Sequence, residues 1–437
     1  MYHLINIIKI FILFTFCLAQ GPLNSFGIGK YQKWLSPSQG GAGSIGLIPT
    51  FKDGVSLSNP GTWSNLKFTH LSVAYNGFES IMKSRNSNNS FSNLQSAQLI
   101  IPIKQKHSFG IALHPYSYQR INLVDTLYAD IYAFEDTISI KKKYEQAGGI
   151  MALDFSFSTS LYSGNNIGVT FQLLFGSSRQ LKSFIVDNIP LLQSSRLNYS
   201  GVNSSFYLVQ RLSLFNLYFK SSVSLKPLEA IYTELYPFDD TNKNGFHDFT
   251  YDYDNPGYDF PHPNDVPAPN ESRITNIYDK TTLGFGISTS IYKRMNLSFE
   301  LENNKDQSSY NYKLPNSFNF RVKGNENYSI GLIWFPNDLS FRFIDNFTFR
   351  SGLVYNKYDY DEFDSNSSNR LDNKNSITQF GYSIGFGYKF KAVGNQIDFS
   401  YYSGSCEYPH SYKSEQVKEF QIGISIADIW FIKRRQR

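Results

Sequence analysis

The side chains best suited to chemistry crowd into one polar stretch, Asp239-Asp240-Thr241-Asn242-Lys243-Asn244-Gly245-Phe246-His247-Asp248. Asp240, Asn242 and Asn244 fall at positions 1, 3 and 5 of a calcium loop, with Gly245 at 6, the Phe246 carbonyl at 7 and Asp248 at 9. Hard oxygen ligands at alternate positions can wrap Ca²⁺, and the glycine permits the sharp turn. Position 12 is Tyr251, where a bidentate acid belongs; Asp252 or Asp254 could substitute. The plain alternative is an acidic, solvated loop. No cofactor is required by this reading, and Ca²⁺ in the 239–254 loop would stiffen it without catalysing anything. His247-Asp248 beside Asp239-Asp240 is also the one cluster with a catalytic look. Catalysis needs a base within reach of a nucleophile or water, which adjacency in sequence does not supply. No catalytic residue is assigned, and the chain reads as a non-enzyme.

The elements that must carry this loop are strands. Phe171 and Leu173 belong to a row of apolar residues at every second position, from Ile167 to Phe175. Leu283, Phe285 and Ile287 start a second row, and Phe380 to Phe390 a third. Between them stand small or polar residues such as Gly284, Gly286, Ser383 and Gly385. One apolar face and one small, polar face fit lipid outside and a filled lumen inside. The pattern predicts about 14 strands, near residues 67–77, 94–103, 106–117, 147–161, 166–177, 198–210, 214–226, 280–292, 295–302, 327–335, 345–356, 376–391, 396–404 and 416–431. Short connections, such as Lys104 to Gln105 and Pro336 to Asp338, alternate with long polar ones at 78–93, 118–146, 178–197, 227–279, 303–326, 357–375 and 405–415. Short periplasmic turns and long outer loops are the habit of bacterial barrels. An even strand count then puts both termini in the periplasm.

Composition agrees. The chain has 437 residues, 17% of them aromatic and only 18% charged, with a net charge of +5. A wall that needs apolar residues only at alternate positions keeps the average polar, and mean hydropathy is −0.34. Residues 1–19 read as an export signal: Lys9, then an apolar run from Ile10 to Leu18, with Cys17 and Ala19 at −3 and −1 of a cut before Gln20. That leaves one thiol, Cys406, which cannot form an internal disulfide. The basic tail, 432–437, reads as a solvated periplasmic end. Nucleic acid is excluded as a partner, because no basic surface with interleaved aromatics recurs. Asp154 and Glu419 fall on inward rows and read as lumen charges paired with a nearby Arg or Lys.

Residues 20–65 are too irregular for a wall strand and too apolar for a loose tail. They fit a plug, or hatch, inside a barrel spanning 66–431. Here the residues resemble a known family. Gly40-Gly41-Ala42-Gly43, then Asp53, then Asn59-Pro60-Gly61 are similar to the N-terminal signature of the FadL/PorV-like outer-membrane proteins. That signature ends in Asn-Pro-Ala-Gly; this chain has no Ala after Pro60. The resemblance implies an all-β, transmembrane antiparallel barrel of 14 strands with an N-terminal hatch, in the bacterial outer membrane. For FadL-like members it implies passage of small hydrophobic molecules, fatty-acid- or hydrocarbon-like. For PorV-like members it implies a non-enzymatic part in protein secretion or surface attachment. Outer-membrane lipid, hydrophobic solutes and secretion machinery are the partners it brings. Wall glycines such as Gly284, Gly286 and Gly385 read as places where strands bulge, or as relief of crowding inside a narrow barrel.

Overall fold

A computed structural model describes residues 24, 26–82, 87–103, 106–124, 129–133, 136–162, 164–186, 189–241, 246–250, 257–310, 312–315, 320–337, 342–363, 370–391, 395–408 and 414–428. The segments read above as a signal, 1–19, and as a basic tail, 432–437, lie outside them.

Fourteen wall strands run antiparallel around a closed sheet: β1 Thr69–Met82, β2 Ser87–Ile103, β3 His107–Val124, β4 Asp136–Tyr162, β5 Asn165–Val186, β6 Ile189–Arg211, β7 Phe215–Glu234, β8 Lys280–Tyr292, β9 Met295–Asp306, β10 Phe320–Trp334, β11 Phe347–Phe363, β12 Arg370–Lys391, β13 Asn395–Glu407 and β14 Ser414–Asp428. Closure is made by β14 against β1, from Thr69↔Asp428 to Met82↔Glu415. A closed sheet leaves its backbone groups paired, which is what strands need in a bilayer. Each predicted strand corresponds to one wall strand.

The faces are as the alternation predicts. Phe171, Leu173, Phe285, Phe386 and Ile424 are exposed on the outside, while Ser383 and Gln421 are buried inside. A continuous exposed apolar band around a soluble protein would drive aggregation; here it is the lipid-facing surface. No helix among the described residues is long and apolar enough to cross a membrane.

Four predicted long loops prove to be mostly strand. Segment 78–93 is largely β1 and β2, 178–197 is β5 and β6 around a connection at 187–188, 118–146 is mainly β3 and β4, and 357–375 is mainly β11 and β12. Beyond the lipid both faces of a strand are wet, so the apolar alternation stops while the pairing continues. Another difference lies at the opposite rim. The connection expected at Pro336 to Asp338 extends from 335 to 346 and carries the exposed Phe343 and Ile344 on a 3₁₀ turn.

Residues 26–64 fill the barrel. A single-turn helix, α1 (Pro37–Gly40), starts at Ser36, whose backbone N–H donates to Gln39 Oε1 at 2.8 Å. Ile45, Leu47 and Ile48 pack with Tyr207, Val209, Tyr218 and Ile333 of the wall, all buried. Trp63 packs with Leu57 and Ile100, and its indole N–H donates to Ser56 O at 2.7 Å.

Candidate functional site

The site is the contact between hatch and wall. Its first part is a glycine-on-glycine seat. A Cβ on Gly352 would lie 2.3 Å from Gly43 Cα, and one on Gly385 2.8 Å from Gly41 Cα. Gly43 has φ +85°, a conformation that favours glycine. The Gly43 N–H donates to Ser383 Oγ at 2.8 Å, and that hydroxyl donates to Gly41 O at 3.1 Å. Side chains would separate the two backbones. Gly284 and Gly286 keep unbroken register with both neighbouring strands, so they make no bulge; the crowding they relieve is that of Leu47 and Ile48 of the hatch, which come to rest on them.

The second part is a buried ion network. Lys33 Nζ lies 2.6 Å from Glu300 Oε1 and 3.7 Å from Glu302 Oε2, and Lys220 Nζ lies 3.5 Å from Glu302 Oε1. Glu300 also accepts the backbone N–H groups of Gly46 (3.0 Å) and Leu47 (2.8 Å). Both glutamates are essentially unexposed, and buried carboxylates persist only when paired and hydrogen-bonded in this way. Arg350 is a second anchor: it pairs with Asp398 at 2.6 Å and donates to Thr50 O of the hatch at 3.3 Å. Asp154 is paired, though with His114 at 3.0 Å rather than with Arg or Lys, and His114 stacks on Trp34 of the hatch. Glu419 accepts from Asn76 Nδ2 at 2.8 Å. None of Lys33, Glu300, Glu302 or Arg350 was singled out from sequence. The signal was present: Glu300 and Glu302 share the inward row of β9 with Ser298 and Asn304.

The third part is a slot in the wall. β2 and β3 pair only from Ala97↔Leu113 to Ile103↔His107. Beyond that point β2 continues against β1 alone, and β3 continues against β4 alone on its other edge. The vacated edge of β3 is taken by the hatch, with Lys30↔Tyr118 and Tyr31↔Ser117 in antiparallel register. Gln32 N–H donates to Tyr116 O at 2.9 Å, and Gln119 Nε2 donates to Gly27 O. Phe91 of β2 faces Tyr118 of β3 across the slot, with ring centroids 5.7 Å apart. Behind it Gly148, Gly149 and Gly176 all have positive φ, which bends β4 and β5 where β3 leaves β2. Apolar side chains border the slot on the lumen side: Ile28, Tyr116, Ile150, Leu174, Leu197 and Leu314 form one buried cluster.

The hatch signature is only partly one site. Gly41, Ala42 and Gly43 lie together on the wall glycines, and Gly40 beside them abuts Gln421 and Ser400. Asn59 closes its own turn, accepting from Gly61 N–H at 3.0 Å and donating to Leu47 O at 2.7 Å. Pro60 and Gly61 abut Gly168 of β5. Asp53 stands apart, exposed at the short-turn end of the lumen.

In the 239–254 loop, Asn242, Asn244 and Gly245 lie outside the described residues. Asp240 is buried, and Phe246 is exposed beside Arg179. A residue that the sequence did not single out organises the loop: Asp259 accepts the backbone N–H groups of Thr241 (3.2 Å) and Asp248 (2.9 Å). The His247 ring stacks on Phe238 at 4.5 Å, and its Nε2 donates to Pro261 O at 2.7 Å. Among the described residues no three His, Cys, Asp or Glu side chains are grouped to hold a metal.

A closed 14-strand transmembrane barrel with its N-terminal segment folded inside is the class these features define, and the solved structures agree. A Pseudomonas aeruginosa FadL homologue superposes with a TM-score of 0.56 at 12% identity, over 90% of this chain and 98% of that one. The CymD monoaromatic hydrocarbon channel gives 0.53 at 13% identity, over 90% and 98%. A deltaS2 mutant of the TodX monoaromatic hydrocarbon channel gives 0.53 at 12%, over 94% and 100%. At such identities the likeness is one of fold, and it is the fold that the hatch signature implied. No curated protein matches the chain. The family model described as BamG matches residues 1–436, and the chain belongs to that family.

Proposed function

We propose that the protein is a bacterial outer-membrane barrel through which small hydrophobic molecules, fatty-acid- or hydrocarbon-like, pass. The hatch is the gate and the β2–β3 slot is the sideways exit. The observation that carries this is the broken pairing between β2 and β3, filled by two hatch residues instead of wall. Every other wall seam is held by nine or more residue pairs; a two-residue hatch strand parts far more readily. The buried apolar cluster around Tyr116 and Leu174 lies beside the slot and would receive an apolar solute from the long-loop end. Two of the similar structures are described as monoaromatic hydrocarbon channels. Both termini of the barrel, at Thr69 and Asp428, lie at the short-turn end, which we assign to the periplasm. The hatch corresponds to 20–65, behind a signal at 1–19.

The reading is non-enzymatic. His247, the nearest thing to a catalytic base, spends its ring on Phe238 and its Nε2 on a carbonyl. Calcium held by Asp240, Asn242, Asn244, Phe246 O and Asp248 remains part of the proposal, as a brace for the loop. Nothing among the described residues favours a secretion role over passage.

Linking the two edges of the slot tests the reading. Phe91→Cys with Tyr118→Cys, joined by a short bis-thiol reagent, should abolish toluene uptake by cells, and either single variant treated alike should not. Uptake that survives complete linking would overturn the sideways route.

A further inference from the structure

The lumen has a second compartment, and its chemistry is the opposite of the slot's. Between the hatch and strands β2 and β9 to β14 lies a small cavity. Leu35 and Val354 are its aliphatic lining. Around them runs a belt of carboxamides from six strands that includes Gln95, Asn304, Asn325, Asn356, Gln379 and Gln421. Tyr358 and Tyr402 stand between them, with Gln379 Nε2 donating to Tyr402 Oη at 2.9 Å.

An apolar solute gains nothing here. Covering an amide without replacing its hydrogen bonds is costly, so several in one belt would repel a hydrocarbon. An ion is not selected either. The charged lining residues are Lys30 and Lys33 against Glu302 and Glu419, two of each sign. What suits carboxamides is a ligand whose groups both donate and accept, as hydroxyls do. Tyrosine rings add flat faces for C–H groups. The belt also has spare capacity. Asn325 Oδ1 is a buried atom without a hydrogen-bond partner. A buried acceptor left unmade is costly, so a bound group there is favoured.

We propose that this cavity is a binding site for a small, neutral polyhydroxy compound of the sugar class. The cavity adjoins the slot through Gln95 of β2 and through Lys30 and Tyr31 of the hatch, but most of its carboxamides stand on β9 to β14, so the proposal goes beyond hydrophobic passage and does not rest on it.

The test is calorimetric titration of the whole protein, purified in a detergent without a sugar headgroup, with glucose and with sucrose. Binding of at least one is expected. Asn325→Leu and Asn356→Leu, which keep side-chain size, should each weaken it about tenfold, the equivalent of one hydrogen bond at ~1.4 kcal/mol. Gluconate and glucosamine should bind less well than glucose. In the unaltered protein, bound sugar should slow amide exchange in the peptide covering residues 320–334, a readout that needs no variant. No binding of either sugar overturns the proposal. So does binding that both variants leave unchanged, or tighter binding of the charged analogues.

Discussion

Lys33 of the hatch and Glu300 of β9, 267 residues apart in sequence, meet at 2.6 Å inside the barrel. The same carboxylate takes the Gly46 and Leu47 N–H groups, so one wall side chain holds three points of the hatch. Glu300→Gln keeps the shape but removes the charge and turns one acceptor into a donor facing those groups. Hydrogen bonds to a charged group are worth ~1.5–3 kcal/mol each. Amide exchange across residues 40–50 should therefore speed up by about tenfold or more, while exchange in β4 and β5 stays as it was. Unchanged hatch exchange would show that the glycine seat alone holds the plug.

The glycine seat makes a separate prediction. A Cβ on Gly352 would sit 2.3 Å from Gly43 Cα, backbone against backbone, where no rotamer change relieves it. Gly352→Val should push the hatch from its seat yet leave the wall intact, because the residue after it in the row, Val354, is already a buried inward valine. In planar bilayers the variant should conduct ions where the unaltered protein conducts few or none. A barrel that fails to close, seen as loss of strand signal by circular dichroism, would mean that the hatch is needed for folding as well.

Much of the wall was legible because lipid imposes a period of two on it. Phe380 to Phe390 shows this well: apolar at every second position, with Gly381, Ser383, Gly385 and Gly387 between. Where the strands leave the lipid, the constraint goes and so does the signal. The expected strand 147–161 is in fact Asp136–Tyr162, its added residues including Lys141, Lys142 and Lys143 paired to Ile185, Phe184 and Ser183 of β5. The site was less legible. Glycines at 284 and 286 look alike whether they ease a bulge or receive Leu47 and Ile48, because sequence records only the missing side chain. Lys33 and Glu300 meet through the closure of the whole barrel, and no local spacing announces a contact of that kind.

The lipid-facing assignment is tested at Phe285. It is exposed on the outer face of β8, paired with Phe219 of β7 and Leu301 of β9 at mid-wall. Phe285→Arg should cost ~2–4 kcal/mol at the bilayer midplane, read as a lowered urea midpoint for refolding into phospholipid vesicles. Gly286→Arg, one residue on and facing the hatch, should fail differently: Ile48 Cγ1 would stand 3.1 Å from its Cβ, and hatch exchange rather than vesicle stability should report it. Equal stability of Phe285→Arg and the unaltered protein would put that row inside the barrel.

The calcium loop gives the last prediction. Asp259 already draws in the backbone at Thr241 and Asp248, which brings both ends of the 240–248 segment to one carboxylate before any metal is added. An ion held by Asp240, Asn242, Asn244 and Asp248 would then tighten a loop whose ends are fixed, so binding has little backbone to order. Calcium should slow trypsin cleavage at Lys243, and EDTA or Asp240→Ala should restore it. Asp259→Asn separates the two effects. It weakens the acceptor that ties the loop ends without removing a proposed ligand, so cleavage should rise while some calcium protection remains. If neither calcium nor EDTA changes the rate in the unaltered protein, the loop is held by Asp259 alone and binds no metal.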